Sequence, residues 1–209
     1  YVCVGVKNDT VAPTREMHII IYNTSGQNIH RVQSGRFNYE AFGVAATFDG
    51  GFVVAGKRNT SAGLNADDFL FNKYSSTGDS IWGRVVTGNS GTPHYAYDVI
   101  QLPDSGFVIV GNAFPTVTGL GSQYFIYRTD AQGNKIWEHQ GGTVNNDKAR
   151  SVIQTQDGGF LVTGISDTSG LFAEKGFALK LDANGNQQWI KFLNDYTNSE
   201  KVPATQAIN

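Results

Sequence analysis

Aromatic, imidazole or charged side chains are concentrated at three places in this 209-residue chain, about one repeat apart, and the third place has charged side chains only. An aromatic ring offers a flat surface for stacking, and a few charged groups beside it supply directional hydrogen bonds. This combination favours a sugar or another small polar ligand. The candidate ligand-binding residues are Tyr39, Glu40, His94, Tyr95, Tyr97, Asp147, Lys148 and Arg150.

A purely structural interpretation of these residues is also open. Asp147 and Arg150 would then form an ion pair at the rim of the fold, and the tyrosines would complete the core. Position along the chain alone does not decide between the two interpretations.

Metal and catalytic patterns are weak in this sequence. Asp67-Asp68 and Asn145-Asn146-Asp147 offer oxygen atoms, but no loop has the spacing that supplies the roughly six to eight oxygens that calcium needs. The four histidines are scattered over different elements, and no nucleophile-elbow motif is present. We therefore predict no metal and no cofactor, and whether the chain is an enzyme stays open.

An internal repeat must position the candidate residues. The segment Asp49-Gly50-Gly51-Phe52-Val53-Val54-Ala55-Gly56 has close copies that begin at Asp104 and at Asp157. A fainter copy, Tyr1-Val2-Cys3-Val4-Gly5, opens the chain. A fixed period of this size indicates a supersecondary unit stacked on copies of itself.

A second motif follows within each unit and combines a turn with a Trp. Asp130-Ala131-Gln132-Gly133-Asn134-Lys135-Ile136-Trp137 has counterparts that end at Trp82 and Trp189, while His30 replaces the Trp in the first unit. The turn glycines lie 52, 55 and 52 residues apart. We expect the Asp side chain to cap a type I turn, the Gly to adopt a positive φ, and the Trp to be a mostly buried wedge between sheets.

These units predict an all-β fold. Each unit contains four short runs of strand-forming residues, and the chain has 25 Gly, 13 Phe and 9 Tyr, as in β proteins rich in tight turns. The period favours a β-propeller of four four-stranded blades within one domain. The alternative is a fragment of a six- to eight-bladed propeller. The predicted units are 1–39, 40–94, 95–147 and 148–202, with a closing strand at 203–209.

The closing strand follows from the phase of the repeat. Residues 204–209 align with residues 149–154, which begin a unit, whereas the chain starts on the second strand of a unit. A blade made of one C-terminal strand and three N-terminal strands would leave no open sheet edge. We expect residues 204–209 to pair beside residues 1–5.

Charge and composition limit the partners. Sixteen basic and eighteen acidic residues give a formal charge of −2, so the chain has no electrostatic footprint for nucleic acid or an anionic membrane. The single cysteine, Cys3, stands in an apolar strand and is predicted to be buried. The sequence begins without Met or a signal peptide, and we therefore expect a processed form or a fragment.

The two motifs together resemble the bacterial β-propeller repeats of secreted and cell-surface proteins. The resemblance covers residues 40–189 well and the first unit weakly, and it implies a secreted or surface location. The turn and Trp are also similar to blades of quinoprotein dehydrogenases, whose Trp packs adjacent sheets. This chain lacks the vicinal Cys pair that often accompanies the quinone in that family and has too few blades to enclose it, so quinone binding is not carried over.

Function is expected on the face of the fold that carries the long loops. These loops join the second and third strands of each unit and connect successive units, and they differ from unit to unit. The favoured hypothesis is non-catalytic glycan binding, as in a lectin or an adhesin. The alternatives are a structural or protein-interaction module of a surface assembly and a hydrolase or lyase built on the loops. The oligomeric state is left open.

Overall fold

A computed structural model describes residues 1–8, 15–33, 39–59, 67–86, 94–115, 119–168 and 174–193. These residues form strands and turns, and they contain no helix. No helix among them is therefore long and apolar enough to cross a membrane. The predicted closing strand and most of the long loops between strands lie outside the described residues.

The strands follow the repeat. Their bounds are β1 Val2–Asn8, β2 Arg15–Tyr22, β3 Asn28–Gln33, β4 Tyr39–Ala46, β5 Phe52–Asn59, β6 Asp67–Tyr74, β7 Ser80–Val86, β8 His94–Gln101, β9 Phe107–Ala113, β10 Gln123–Thr129, β11 Lys135–Gly141, β12 Asp147–Gln154, β13 Phe160–Asp167, β14 Glu174–Leu181 and β15 Gln187–Leu193.

These strands form four antiparallel sheets in which spatial order follows chain order. The orders are β1-β2-β3, β4-β5-β6-β7, β8-β9-β10-β11 and β12-β13-β14-β15. The predicted all-β class is confirmed, and the last three sheets have the predicted four strands. Among the described residues the first sheet has three strands. The chain also divides into two compact parts that are larger than the repeats. In the structure, the first unit is Tyr1–Gln101 and the second unit is Leu102–Asn209.

The core of the first unit lies between its sheets. Met17, Ile19 and Ile21 on β2 are at most 5% exposed and pack against Phe52 and Val54 on β5. Alternate residues of β2 face this core because successive side chains in a strand point to opposite faces. Burial of these apolar side chains is the main source of stability here.

The core of the second unit comes from strands that are buried on both faces. Every residue of β9 and β10 is buried, including Phe107, Ile109 and Ile126. Continuous apolar runs such as Phe107-Val108-Ile109-Val110 are typical of strands covered on both sides.

The turn before each Trp strand has the predicted geometry. Asp130 Oδ1 accepts hydrogen bonds from the backbone nitrogens of Gln132 and Asn134, at 2.9 and 2.8 Å. Gly133 follows with φ of 81°, which suits glycine because it has no Cβ. The equivalent turn at Asp182 repeats these bonds. The prediction of an Asp-capped turn is confirmed.

The Asp of each Asp-Gly turn has a role that the sequence analysis did not identify. It pairs with a basic residue near the end of the third strand of the same repeat. For example, Lys180 Nζ lies 2.9 Å from Asp157 Oδ2. The Lys73 ammonium and the Thr47 hydroxyl lower the pKa of Asp49 to about 2. The three pairs are Asp49–Lys73, Asp104–Arg128 and Asp157–Lys180.

Ser105 in the second of these turns has φ of 66°, whereas Gly50 and Gly158 occupy the matching positions in the other turns. A residue with a Cβ pays about 1 kcal/mol or more in this left-handed region. We therefore expect Ser105→Gly to raise the free energy of unfolding by up to about 1 kcal/mol, measured by urea denaturation. Ser105→Ala keeps the Cβ and is the matched control; an equal gain in both variants would contradict the strain argument.

Trp137 is a wedge between two sheets, whereas the aromatic partner of Trp82 belongs to the same sheet. Trp82 lies edge-on to Phe71 at 5.2 Å, and Trp137 lies edge-on to Phe160 at 5.8 Å, with both indoles partly buried. Trp189 is 42% exposed. The prediction of three mostly buried indoles is therefore wrong for Trp189, because the described residues leave much of its ring uncovered.

Cys3 is exposed, which contradicts the prediction of a buried thiol. Its strand, β1, pairs with β2 on one side, and β1 is at the edge of its three-stranded sheet among the described residues. An edge strand is covered less than a central one, and this explains why an apolar strand leaves its thiol accessible.

A β-bulge interrupts the first strand of two repeats, β4 and β12. The register with the next strand shifts between Ala41 and Gly43 and again between Ala149 and Ser151. Phe42 and Arg150 are the extra residues, and bulges of this kind change the direction of a side chain. Phe42 is consequently 36% exposed.

Candidate functional site

In the first unit, two of the candidate ligand-binding residues, Glu40 and Tyr95, lie around Lys57. Its Nζ lies 3.2 Å from Glu40 Oε1, 3.1 Å from Asp67 Oδ2 and 4.9 Å from the centre of the Tyr95 ring. Glu40 and Asp67 are 6% and 8% exposed, so these ionic groups are largely removed from water. We call this group the Lys57 cluster.

The Lys57 cluster satisfies its own charges. One ammonium group is shared by two carboxylates, and this pairing offsets part of the cost of burying them. Burial raises the pKa of Tyr95, and the nearby Asp67 carboxylate, which accepts the hydroxyl hydrogen bond, raises it further. The phenol therefore stays protonated, and the cluster serves to hold β4, β5, β6 and β8 together.

An aromatic row accompanies the Lys57 cluster. Tyr95 stacks on Tyr97 with ring centres 6.3 Å apart, and Phe42 lies 5.5 Å from Tyr97. Tyr39 is half-buried and packs against the core of the first unit, and His94 is half-buried at the start of β8. These are side chains on strand surfaces, and their neighbours are mostly other side chains of the first unit.

The second unit contains a pocket of about 310 Å³, which we call the Tyr124 pocket. Strands β10, β11, β14 and β15 and the segment 141–147 surround it. Its lining residues are Tyr124, His139, Gln140, Gly141, Gly142, Thr143, Asp147, Phe177, Gln187, Ile190 and Phe192. Aromatic and aliphatic walls thus meet a small number of polar groups.

Asp147 is the candidate residue that lines the Tyr124 pocket. It is 1% exposed, and its Oδ2 accepts hydrogen bonds from the backbone nitrogen and the hydroxyl of Thr143, at 2.6 and 3.0 Å. Its Oδ1 is buried without a well-formed hydrogen bond. Burial raises the pKa of Asp147, and the opposing effects of Ser166 and Thr143 are smaller.

His139 supplies the second polar group of this pocket. Its ring stacks on Tyr124 with centres 6.2 Å apart, and its Nε2 is buried without a hydrogen-bond partner among the described residues. Burial lowers the pKa of His139, and this effect outweighs the opposite effect of the Gly185 backbone. The imidazole is therefore neutral at neutral pH, and its Nε2 can donate or accept one hydrogen bond, depending on the tautomer.

The Tyr124 pocket depends on two adjacent glycines. A Cβ at Gly141 would come within 2.5 Å of the Tyr124 hydroxyl, and one at Gly142 within 2.4 Å of Asp147 Oδ2. The backbone therefore lies so close to both polar groups that a Cβ would force the side chains of Tyr124 and Asp147 to shift. This part of the site was not predicted from the sequence, although the segment 141–148 is one of the long loops that connect successive repeats.

Neighbouring loops hold this segment in place. Gly121 N donates to the carbonyl of Val144 over 2.9 Å, and Asp147 N donates to the carbonyl of Ser122 over 2.6 Å. Asn146 then accepts from Ser122 N through its side chain and from Asp167 N through its carbonyl. The wall of the pocket is thereby anchored before any ligand enters.

Lys148 and Arg150 do not line the Tyr124 pocket. Lys148 Nζ lies 3.5 Å from Glu174 Oε1, and Arg150 is the bulge residue of β12. Asp147 bonds to Thr143 and does not form the ion pair with Arg150 that the structural interpretation suggested. The eight candidates thus fall into different surroundings, with Asp147 in the pocket and Glu40 and Tyr95 in the Lys57 cluster.

Sequence reasoning missed Tyr124, His139 and Phe177. Tyr124 occupies the repeat position of Phe69 and Gly176, and His139 that of Arg84 and Lys191. Variation at these two positions was a usable signal, because function is carried by residues that differ between repeats. Among the described residues, no group of three or more His, Cys, Asp or Glu is arranged to hold a metal ion.

Comparison with known proteins adds little to this description. No protein-family model matches the chain, and no curated protein matches it in sequence. A crystal structure of a eukaryotic initiation factor is similar over 93% of this chain, with 6% identity and a TM-score of 0.41. This chain spans 55% of the length of that one. A similarity this weak supports no conclusion about the fold or the function.

Proposed function

We propose that this chain is a non-catalytic carbohydrate-binding protein and that the Tyr124 pocket holds one sugar residue. The observation that carries the proposal is the meeting of aromatic walls with buried, incompletely bonded polar atoms of Asp147 and His139. Sugars present apolar C–H faces and many hydroxyl groups, so they need both kinds of surface.

The size of the pocket supports a small ligand. Its volume of about 310 Å³ lies at the lower end of the roughly 300–1,000 Å³ typical of ligand pockets. Phe177 is fully buried against Tyr124, with ring centres 5.2 Å apart, whereas Phe192 is 39% exposed. Phe192 is therefore the aromatic wall that a sugar ring would reach first.

A glycan array followed by calorimetry tests this proposal. We expect Phe192→Ala to weaken the binding of the selected sugar by about tenfold, since loss of an aromatic contact costs roughly 0.5–1.5 kcal/mol beyond its area. Stability should hardly change, because this ring is already partly in water.

Ile136→Ala is the matched control, since Ile136 is an apolar residue of β11 that is 56% exposed and lies outside the lining of the pocket. An array without binding, or equal affinities for the two variants and the unchanged protein, would refute the proposal. A structural or protein-interaction module would then be favoured.

A glycoside hydrolase or lyase is the second candidate function. The directions of the pKa changes at Asp147 and His139 favour it, because groups with shifted pKa values often cluster at catalytic sites. Thr143 donates two hydrogen bonds to Asp147 Oδ2, and this favours a structural role for the carboxylate over a catalytic one. Release of sugar from a panel of chromogenic glycosides, lost in His139→Gln, would support catalysis over binding.

We further propose that the chain is a closed four-bladed β-propeller that acts outside the cell. Two observations support closure: the first sheet has three strands among the described residues, and residues 204–209 align with the missing first strand. The resemblance of its two motifs to bacterial propeller repeats supports a secreted or cell-surface location and offers no reason to expect nucleic acid or membrane insertion.

Closure predicts a specific effect at Gly5. This residue aligns with Gly56, where a Cβ would meet the carbonyl oxygen of Glu40 on the neighbouring first strand at 1.9 Å. If residues 204–209 form the first strand beside β1, Gly5→Ala should destabilise the protein by about 1–3 kcal/mol. Deletion of residues 204–209 should abolish this effect and expose an aggregation-prone sheet edge.

Urea unfolding of four proteins measures both effects, namely the chain with and without residues 204–209, each with and without the Gly5→Ala substitution. A Gly5→Ala variant as stable as the parent, together with an unchanged melting transition after the deletion, would exclude closure by this strand.

A further inference from the structure

The carboxylate of the Tyr124 pocket has no basic partner. Asp147 is 1% exposed, and the groups that favour the charged form of its carboxylate, Thr143 and Ser166, are uncharged. No Lys or Arg among the described residues pairs with it or lines the pocket. The buried Glu40 and Asp67 of the first unit differ in this respect, because they share the ammonium group of Lys57.

His139 does not provide the missing positive charge. Burial lowers the pKa of this residue, so its imidazole is neutral at neutral pH. The other polar side chains that line the pocket, those of Tyr124, Gln140, Thr143 and Gln187, are uncharged. The pocket is negative whenever Asp147 is ionised, and a cation beside the carboxylate would favour the ionised form against the burial that raises its pKa.

The walls of the pocket also suit a cation. Tyr124, Phe177 and Phe192 line one small space, and Phe192 is 39% exposed. The face of an aromatic ring attracts an ammonium group, and the attraction grows when both are partly removed from water. A buried carboxylate without a counter-charge is costly, and a bound cation would reduce that cost.

We propose that the ligand is an amino sugar with a free ammonium group, which lies in the Tyr124 pocket against its aromatic wall and takes Asp147 as its counter-charge. This inference rests on the proposed carbohydrate function and adds the class of sugar. It predicts that the pocket selects a free amine over an acetylated amine or a hydroxyl at the same carbon.

Calorimetry with matched ligands tests the inference directly. Glucosamine and galactosamine are each compared with the N-acetylated and the neutral sugar, at about pH 6, where alkyl amines are protonated. Tetramethylammonium provides an ammonium group without a sugar. We expect the free amino sugars to bind about tenfold more tightly than their two partners and more tightly than tetramethylammonium.

Asp147→Asn is the variant for this experiment, because the amide has the shape of the carboxylate and its oxygen can still accept the Thr143 bonds. It should remove the tenfold preference for the amine, so that this variant binds the amino, N-acetylated and neutral sugars with similar affinities. If this variant fails to fold, the comparison of ligands on the unchanged protein still decides the matter.

Each other result has a distinct meaning. Equal binding of amino, N-acetylated and neutral sugars would overturn the inference and leave the carbohydrate function standing. Tight binding of tetramethylammonium without binding of any sugar would overturn both and identify an ammonium site of another kind. The absence of all binding would also overturn both.

Discussion

Replacing Gly56 or Gly164 with Ala is expected to lower the free energy of unfolding by about 3 kcal/mol, the upper end of the usual cost of overpacking. A Cβ at Gly56 would lie 1.9 Å from the carbonyl oxygen of Glu40, and one at Gly164 would lie 2.1 Å from that of Lys148. Both obstacles are backbone atoms of a paired strand, so no side chain can rotate to relieve the clash.

The β-bulges explain why this position requires glycine. Ala41 pairs with Gly56 and Ala149 with Gly164, immediately before the extra residues Phe42 and Arg150. A bulge bends the strand that contains it, and the close approach of the two strands occurs at this bend. Urea unfolding followed by circular dichroism measures the loss.

Gly50→Ala is the control for the loss of glycine itself. Gly50 has φ of 82° with nothing near its absent Cβ, so Ala there should cost only about 1 kcal/mol of backbone strain. If Gly56→Ala lowers the free energy of unfolding by no more than Gly50→Ala does, the two strands do not approach each other as closely as the structure shows.

The second large effect is expected at Trp137. We predict that Trp137→Ala lowers the free energy of unfolding by about 2–3 kcal/mol, somewhat below the roughly 3–5 kcal/mol of a fully buried aromatic residue. The ring packs edge-on to Phe160, and its Cε3 would be 2.8 Å from a Cβ at Gly185. Removing it leaves a cavity between two sheets of the second unit.

Trp189→Ala is the matched comparison, since this indole holds the same place in its repeat but is 42% exposed. It should cost clearly less than Trp137→Ala in the same denaturation experiment, because less apolar surface returns to water. Equal losses in the two variants would show that Trp189 is covered in solution.

Local features of this protein could be predicted from the sequence. The Asp130 turn depends on hydrogen bonds within five residues and on one glycine with positive φ, so its pattern of residue types is sufficient. The strands from Phe52, Phe107 and Phe160 likewise follow from apolar runs that begin after a turn. Because the motifs recur, each local prediction made in one repeat also applied to the others.

The candidate site was predicted only in part, because its residues come from separate strands. Asp147 stood out as a charged residue in a variable loop, and the structure places it in the Tyr124 pocket. Its neighbours His139 and Phe177 lie on β11 and β14, and no spacing along the chain shows that they meet. Lys57 was passed over for the same reason, since its partners Glu40 and Asp67 lie on two other strands.

The sequence by itself therefore determined the all-β class, the repeat and the geometry of the turns, since these depend on contacts between near neighbours and on a period that the chain repeats. The tertiary structure decided which side chains share a pocket, which charges are paired and where glycine is obligatory. These properties depend on the register between strands, and a bulge of one residue, as at Phe42, changes that register without leaving a distinct mark in the sequence.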